Sequence, residues 1–177
     1  MTDLRFPIGQ FKFEDRALSD ADRASYIDQI ARTPRRLREA VRGLTDEQLD
    51  TPYRPGGWTV RQVIHHVPDS HLNSYVRFKL ALTEDEPVIK PYDEAGWAAL
   101  ADSRSAPVEA SLGLLDSLHE RWVLLLKSIA PSDFARSFNH PERGRVSLDA
   151  NLALYAWHGK HHVAHITSLR ERMGWAE

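Results

Sequence analysis

The chain has 177 residues, 25 acidic against 23 basic side chains for a net charge of −2, nine histidines and no cysteine. With 42% hydrophobic residues it has the size and composition of one domain with a buried core, taken as residues 1–177. The balanced charge, without like-charge runs, excludes a phosphate-neutralising nucleic-acid surface and a polybasic membrane patch, and the missing cysteine excludes thiolate metal sites and a cysteine nucleophile.

Any soft-metal chemistry must therefore run through imidazole. The N-terminal MTDLRFPIGQFKFEDR has no basic flank leading into an apolar core, and no later stretch approaches ~18 uninterrupted apolar residues, so the cytoplasm is the expected location.

Residues 1–18 read as an extended lead-in. Ser19 is placed to cap a helix that begins at Asp20 and runs toward Leu44, with Pro34 expected to kink or split it. Thr45 and Gln48 have capping-box spacing for a short turn before the loop DTPYRPGG. Thr59 can cap a long helix over 60–83, whose Val60, Val63, Ile64, Val67, His71, Tyr75, Phe78 and Leu82 follow the three-four spacing of a buried face. Pro68 sits inside it and removes one intrahelical bond.

Residues 84–105 read as a proline-marked loop with room for a short helix. Pro107 then opens a third long helix at its first turn, with Val108, Leu112, Leu115, Trp122, Leu125 and Ile129 on its apolar side. Pro131 ends it, FARSFNHPERGRV reads as a loop or small hairpin, and Ser147 caps a last helix over about 148–172. Four long helices make an all-α bundle.

On the last helix, Leu148, Leu152, Tyr155, Gly159, His162, Ile166, Leu169 and Met173 alternate at intervals of four and three, so His162 points inward. His158 precedes it by four residues, the spacing by which one helix offers two imidazoles to one metal, and Gly159 leaves space beside them. His161 and His165 repeat the spacing but, at about 100° per residue, lie toward the flank and suit an outer role. The competing reading of HGKHHVAH is a polar patch with a satisfied buried histidine. For a third ligand helix two offers His65, His66 and His71; periodicity alone nominates His71, because His66 lies on a flank with Ser70, Asn73 and Arg77.

GGWTVRQVIHHVPDSHLNSYVRFKL and LYAWHGKHHVAHITSLRERMGW, with RFPIGQFKF, DTPYRPGGW and KPYDEAGW, closely resemble the YfiT branch of the DinB-like family across nearly the whole chain. The resemblance implies a four-helix bundle, a homodimer, and three histidines holding zinc, or alternatively nickel, in an open site. Carried over by motif, His66 in HHVPDS joins His158 and His162, which overrules His71. The family usually has a small helix-compatible residue where Pro68 stands.

The resemblance implies a metal-dependent hydrolase acting on a small-molecule substrate. One alternative is transfer of a low-molecular-weight thiol of the bacillithiol type, because an open ion acidifies water or thiol alike. Another is a non-catalytic, dimeric metal-binding stress protein, whose closed shell would take a fourth ligand from His161, His165 or Asp69. Asp69, Asn73 and Arg77 extend the His66 side as outer-shell or substrate contacts, with solvated helix polars the bland reading. Tyr155 is placed to line the pocket, whereas Trp58, Trp97, Trp122 and Trp157 read as packing anchors without a catalytic role.

Overall fold

The computed structural model describes residues 3–12 and 16–175. Four long helices carry the structure: α1 (Asp20–Val41), α3 (Val60–Thr83), α6 (Val108–Ser128) and α7 (Leu148–Met173). Short helices α2 (Asp46–Leu49), α4 (Glu94–Ala98) and α5 (Ala101–Ser105) stand in the connections. A 3-10 turn at Pro131–Ala135 leads into a hairpin of β1 (Ser137–His140) and β2 (Gly144–Ser147), in which Phe138 pairs with Val146 and His140 with Gly144. The lead-in over 3–12 holds two turns, and the expectation for residues 1, 2 and 13–15 lies outside the described residues.

The helix starts follow from local chemistry. Ser19, Thr45 and Thr59 each accept a bond from the backbone N–H three residues on, and Asp22, Gln48 and Gln62 return it, so two of the orphan donors at each terminus are satisfied. Ser147 caps α7 through the Ala150 N–H, and Gly174, at φ +63°, closes it in the left-handed conformation that glycine adopts without steric cost.

Pro34 does not split α1, which runs unbroken for 22 residues. A proline frees the carbonyl four residues earlier. Here that carbonyl belongs to Ile30, and it accepts a bond from His119 Nδ1 at 2.8 Å, so the missing helical donor is replaced from α6. Pro68 likewise lies inside an unbroken α3. Pro107 stands one position before α6 as its cap residue. The buried side of α6 is Leu112, Leu115, Leu118, His119, Trp122 and Leu126; Leu125 and Ile129, expected there, only pack against the core from its edge.

Around the bundle α1 contacts α6 and α7, and α3 contacts α6 and α7. Successive long helices α1 and α3 are therefore diagonal, as are α6 and α7, and the connections through α2 and through the hairpin cross the ends of the bundle. Both ends of the α1–α7 contact are pinned. Buried Asp149 accepts two bonds from the Arg23 guanidinium at 2.8 Å and one from the Leu18 N–H, and Arg170 donates to the Ala40 and Arg42 carbonyls at the end of α1.

The apolar core falls into two parts. One gathers Ile30, Phe78, Trp122, Leu126, Phe138 and Leu152, and the other Leu37, Val63, Ile64, Leu115, Ile166 and Leu169. Along each helix the residues between them include Thr33 and Pro34, Pro68 to His71, His119, and His158 to His162, so imidazoles stand between the two hydrocarbon layers, with His66 one residue before Val67 at the edge of the second.

Gly159 faces α1 rather than opening space beside the histidines. A Cβ there would lie 2.5 Å from Thr33 Oγ1 and 2.8 Å from its Cγ2. Rotating a β-branched threonine exchanges one clash for the other, so the helices must part. Gly159→Ala is expected to lower stability by about 2 kcal/mol, roughly 5 °C in Tm, despite alanine's better helix propensity. Thermal unfolding followed by circular dichroism checks this.

Candidate metal centre

His158 and His162, one turn apart on α7, bring their Nε2 atoms to 3.1 Å, and His66 Nε2 from α3 lies 3.4 Å from that of His158. The ligand atoms of all three lie within 4.8 Å of one another. A tetrahedral zinc with Zn–N bonds of about 2.0–2.1 Å separates its nitrogen donors by about 3.3 Å, so the spacing fits such an ion. Among the described residues no carboxylate or fourth histidine joins this group.

Burial keeps the rings in the neutral form that binds metal. It pushes His66 down to about 4, with the nearby His165 adding to the effect, and holds His158 and His162 well below the ordinary histidine value, with the neighbouring imidazoles reinforcing burial. Trp58 packs against His66 at 4.7 Å between ring centres.

The remaining histidines have other partners. His71, fully buried, lies behind His158, with Nε2 3.1 Å from its Nδ1 and Nδ1 2.8 Å from His119 Nε2. His65 ties α3 to the start of α6 through Ser111 Oγ at 2.7 Å and the Ala106 carbonyl. His161 stacks on Trp157 at 4.2 Å, and His165 stacks on Tyr53 and donates to the Arg5 carbonyl at 3.1 Å.

A cavity of about 880 Å³ opens beside the three histidines, lined also by Ser70, Arg77, Tyr155, Asp93 and Glu94 and, from the hairpin, His140, Glu142 and Arg143. Trp58 and Trp157 form part of its wall, Trp122 is buried in the core and Trp97 packs on Tyr92 outside the bundle. Asp69 and Asn73 are not among the lining residues. Burial and the Asp102 charge push the Asp69 carboxyl up to about 6, and the Asn73 amide folds back to donate to the Asp69 carbonyl.

Sequence reasoning missed His119, His140 and Arg143. The signal for His119 was available, because it continues the Leu112, Leu115, Trp122, Leu126 spacing as a polar residue on an apolar stripe. Nothing local marks the hairpin pair, which reaches the cavity only through the fold.

The profile of the DinB superfamily matches residues 29–166. The chain belongs to the DinB superfamily. Proteins of Bacillus mycoides (strain KBAB4) and Bacillus cereus (strain B4264), each named "Putative metal-dependent hydrolase", are 57% identical to it over 175 residues, covering 99% of this chain and all of theirs. Among solved structures it is similar to Bacillus subtilis YfiT, described as "a probable metal-dependent hydrolase with an unusual four-helix bundle topology", with a TM-score of 0.96 at 49% identity over 99% of this chain and 100% of that one. TT2238, a four-helix bundle protein, shares the fold at a TM-score of 0.55 and 20% identity, covering 80% of this chain and 94% of its own. The DinB bundle expected from the residues is thus the fold found. Among the described residues no helix is long and apolar enough to cross a membrane.

Proposed function

We propose that the protein is a metal-dependent hydrolase of a small anionic substrate, with zinc held by His66, His158 and His162. The observation that carries the reading is the convergence of three buried neutral imidazoles, without a fourth histidine or a carboxylate among the described residues, beside a cavity large enough for a small molecule. A divalent ion held by His66, His158 and His162 would supply Lewis acidity, lowering the pKa of water toward about 7 and so making a nucleophile available at neutral pH.

The chain's own residues prepare the site. Burial holds the imidazoles unprotonated, so no proton has to leave before an ion binds. Ser70 Oγ stands 3.4 Å from His158 Nε2 and 3.3 Å from the Tyr155 hydroxyl, placing polar groups at the cavity floor. Arg77 and Arg143 both line the cavity beside Asp93, Glu94 and Glu142, and burial pushes the Glu94 carboxyl up within reach of the two positive charges. Two guanidiniums in one cavity suit a carboxylate or phosphate group on the substrate.

The test uses paired nitrophenyl esters, one neutral and one carrying a carboxylate. Hydrolysis should vanish on chelation and return with zinc. Arg77→Ala should raise KM for the anionic ester by about tenfold, the worth of one charged hydrogen bond, and leave the neutral ester unchanged. Hydrolysis that persists in metal-free protein would overturn the reading. Turnover of an electrophile only when a low-molecular-weight thiol is added would assign the site to thiol transfer instead.

A further inference from the structure

The three ligands leave two fully buried histidines, His71 and His119, without a function, and their bonds form one directed chain. His119 Nδ1 lies 2.8 Å from the Ile30 carbonyl oxygen. A carbonyl only accepts, so Nδ1 carries the proton, and in a neutral ring Nε2 is then an acceptor. That Nε2 is 2.8 Å from His71 Nδ1, which must donate. His71 Nε2 becomes the acceptor in turn, 3.1 Å from His158 Nδ1, which donates to it. His158 is left with the lone pair of its Nε2 directed at His66 and His162.

Each member of this chain comes from a different long helix: Ile30 from α1, His119 from α6, His71 from α3 and His158 from α7. Its starting point is the Ile30 carbonyl that Pro34 deprives of a helical donor, so the direction is imposed by the covalent structure of α1. Trp122 stands edge-on to both inner rings, at 5.7 Å from each. Reversing one ring would set lone pair against lone pair or N–H against N–H where no water can intervene. The other α7 ligand has no such support: His162 Nδ1 is buried with no hydrogen-bond partner among the described residues.

We propose that His71 and His119 are positioning residues that fix His158 as its Nδ1–H tautomer and aim its Nε2 at the ion. The proposal rests on the metal reading above and adds the means by which one ligand is held ready before an ion arrives. Outer partners of this kind set ligand orientation and basicity.

The experiment starts with metal-free protein labelled with ¹⁵N-histidine at pH 7.5, where long-range ¹H–¹⁵N correlations read each tautomer directly. His119, His71 and His158 should all be protonated at Nδ1; an Nε2–H form at His71 or His158 overturns the proposal. The second arm measures zinc affinity by competition with a chromophoric chelator. His119→Leu, which removes the acceptor for His71, should weaken binding about 10- to 100-fold. His119→Gln, whose amide oxygen can accept the same bond, should recover most of the loss. A folded His119→Leu protein with wild-type affinity overturns the proposal. If the wild-type protein itself binds no zinc, the metal reading fails, and the tautomers of the metal-free protein still decide the relay.

Discussion

Replacing His158 with alanine should abolish zinc binding and all metal-dependent turnover while the bundle still folds. Its Nε2 is the atom nearest both other donors, at 3.1 and 3.4 Å, so the variant leaves two imidazoles facing a gap that water fills. The loss should exceed the ~100-fold that removal of a ligand's outer partner costs. His66→Ala should behave in the same way, because no neighbouring donor among the described residues can take its place. His71→Ala should weaken binding without abolishing it, since that ring touches His158 and not the ion position. Competition with a chromophoric chelator reads the three affinities, and circular dichroism confirms the fold. Abolition by His71→Ala with His66→Ala spared would restore the ligand set that helical periodicity alone nominates.

Acid should unfold the metal-free protein between about pH 6.5 and 4, the window set by its buried histidines. His119 and His165 are not members of the three-histidine cluster, and burial pushes each from the ordinary 6.5 down to about 4. A lowered histidine pKa means that the unfolded chain binds the proton first, so stability is complete above 6.5 and drains as pH falls toward 4. Each ring contributes on the order of 3 kcal/mol by this route, against a total of about 5–15 kcal/mol for a domain. Asp69 works in the opposite sense: its carboxyl, pushed up to about 6, is easier to bury once protonated, so acid relieves one penalty while imposing one at each of these rings and at the buried cluster of His66, His158 and His162. Saturating zinc should move the midpoint to lower pH, because the ion occupies only the folded state. An acid midpoint below pH 4 in metal-free protein would contradict the account.

The helices were legible because their signals are local. Ser19, Thr59 and Ser147 cap where they were expected to cap, and the apolar spacing of α3 and α7 marks their buried sides. The diagonal order of the helices was not legible, since nothing within a helix records which neighbour it meets. Pro34 illustrates the same limit: the sequence shows a lost donor, and only the fold supplies His119 as its replacement.

At the site, the α7 pair could be read from its spacing, whereas the third histidine of the cluster could not. The apolar stripe of α3 correctly marks His71 as buried, but burial does not say what a side chain faces. His66 looked like a flank residue because α3 was read as having one covered side. In the structure α3 is covered on more than one side: His66 packs against Trp58 and the α7 histidines, and His65, His66 and His71 are all buried. The resemblance nominates His66, and the structure places that ring beside His158 and His162, whereas periodicity nominates His71, which lies behind His158.

The cavity is assembled from two kinds of backbone, and they differ in how freely they can change. Its metal-facing residues lie in the interiors of α3 and α7, where inserting one residue would rotate every later side chain by about 100° and break the constellation. His140, the buried last residue of β1, and Glu142 and Arg143, in the exposed turn over residues 141–143, reach the same cavity. Exposed turn tips accept insertions that regular elements do not. Descendants of this scaffold can therefore diversify the molecules they admit by lengthening or recolouring one turn, and a designer seeking new substrates has a short, separable stretch of chain in which to place a library.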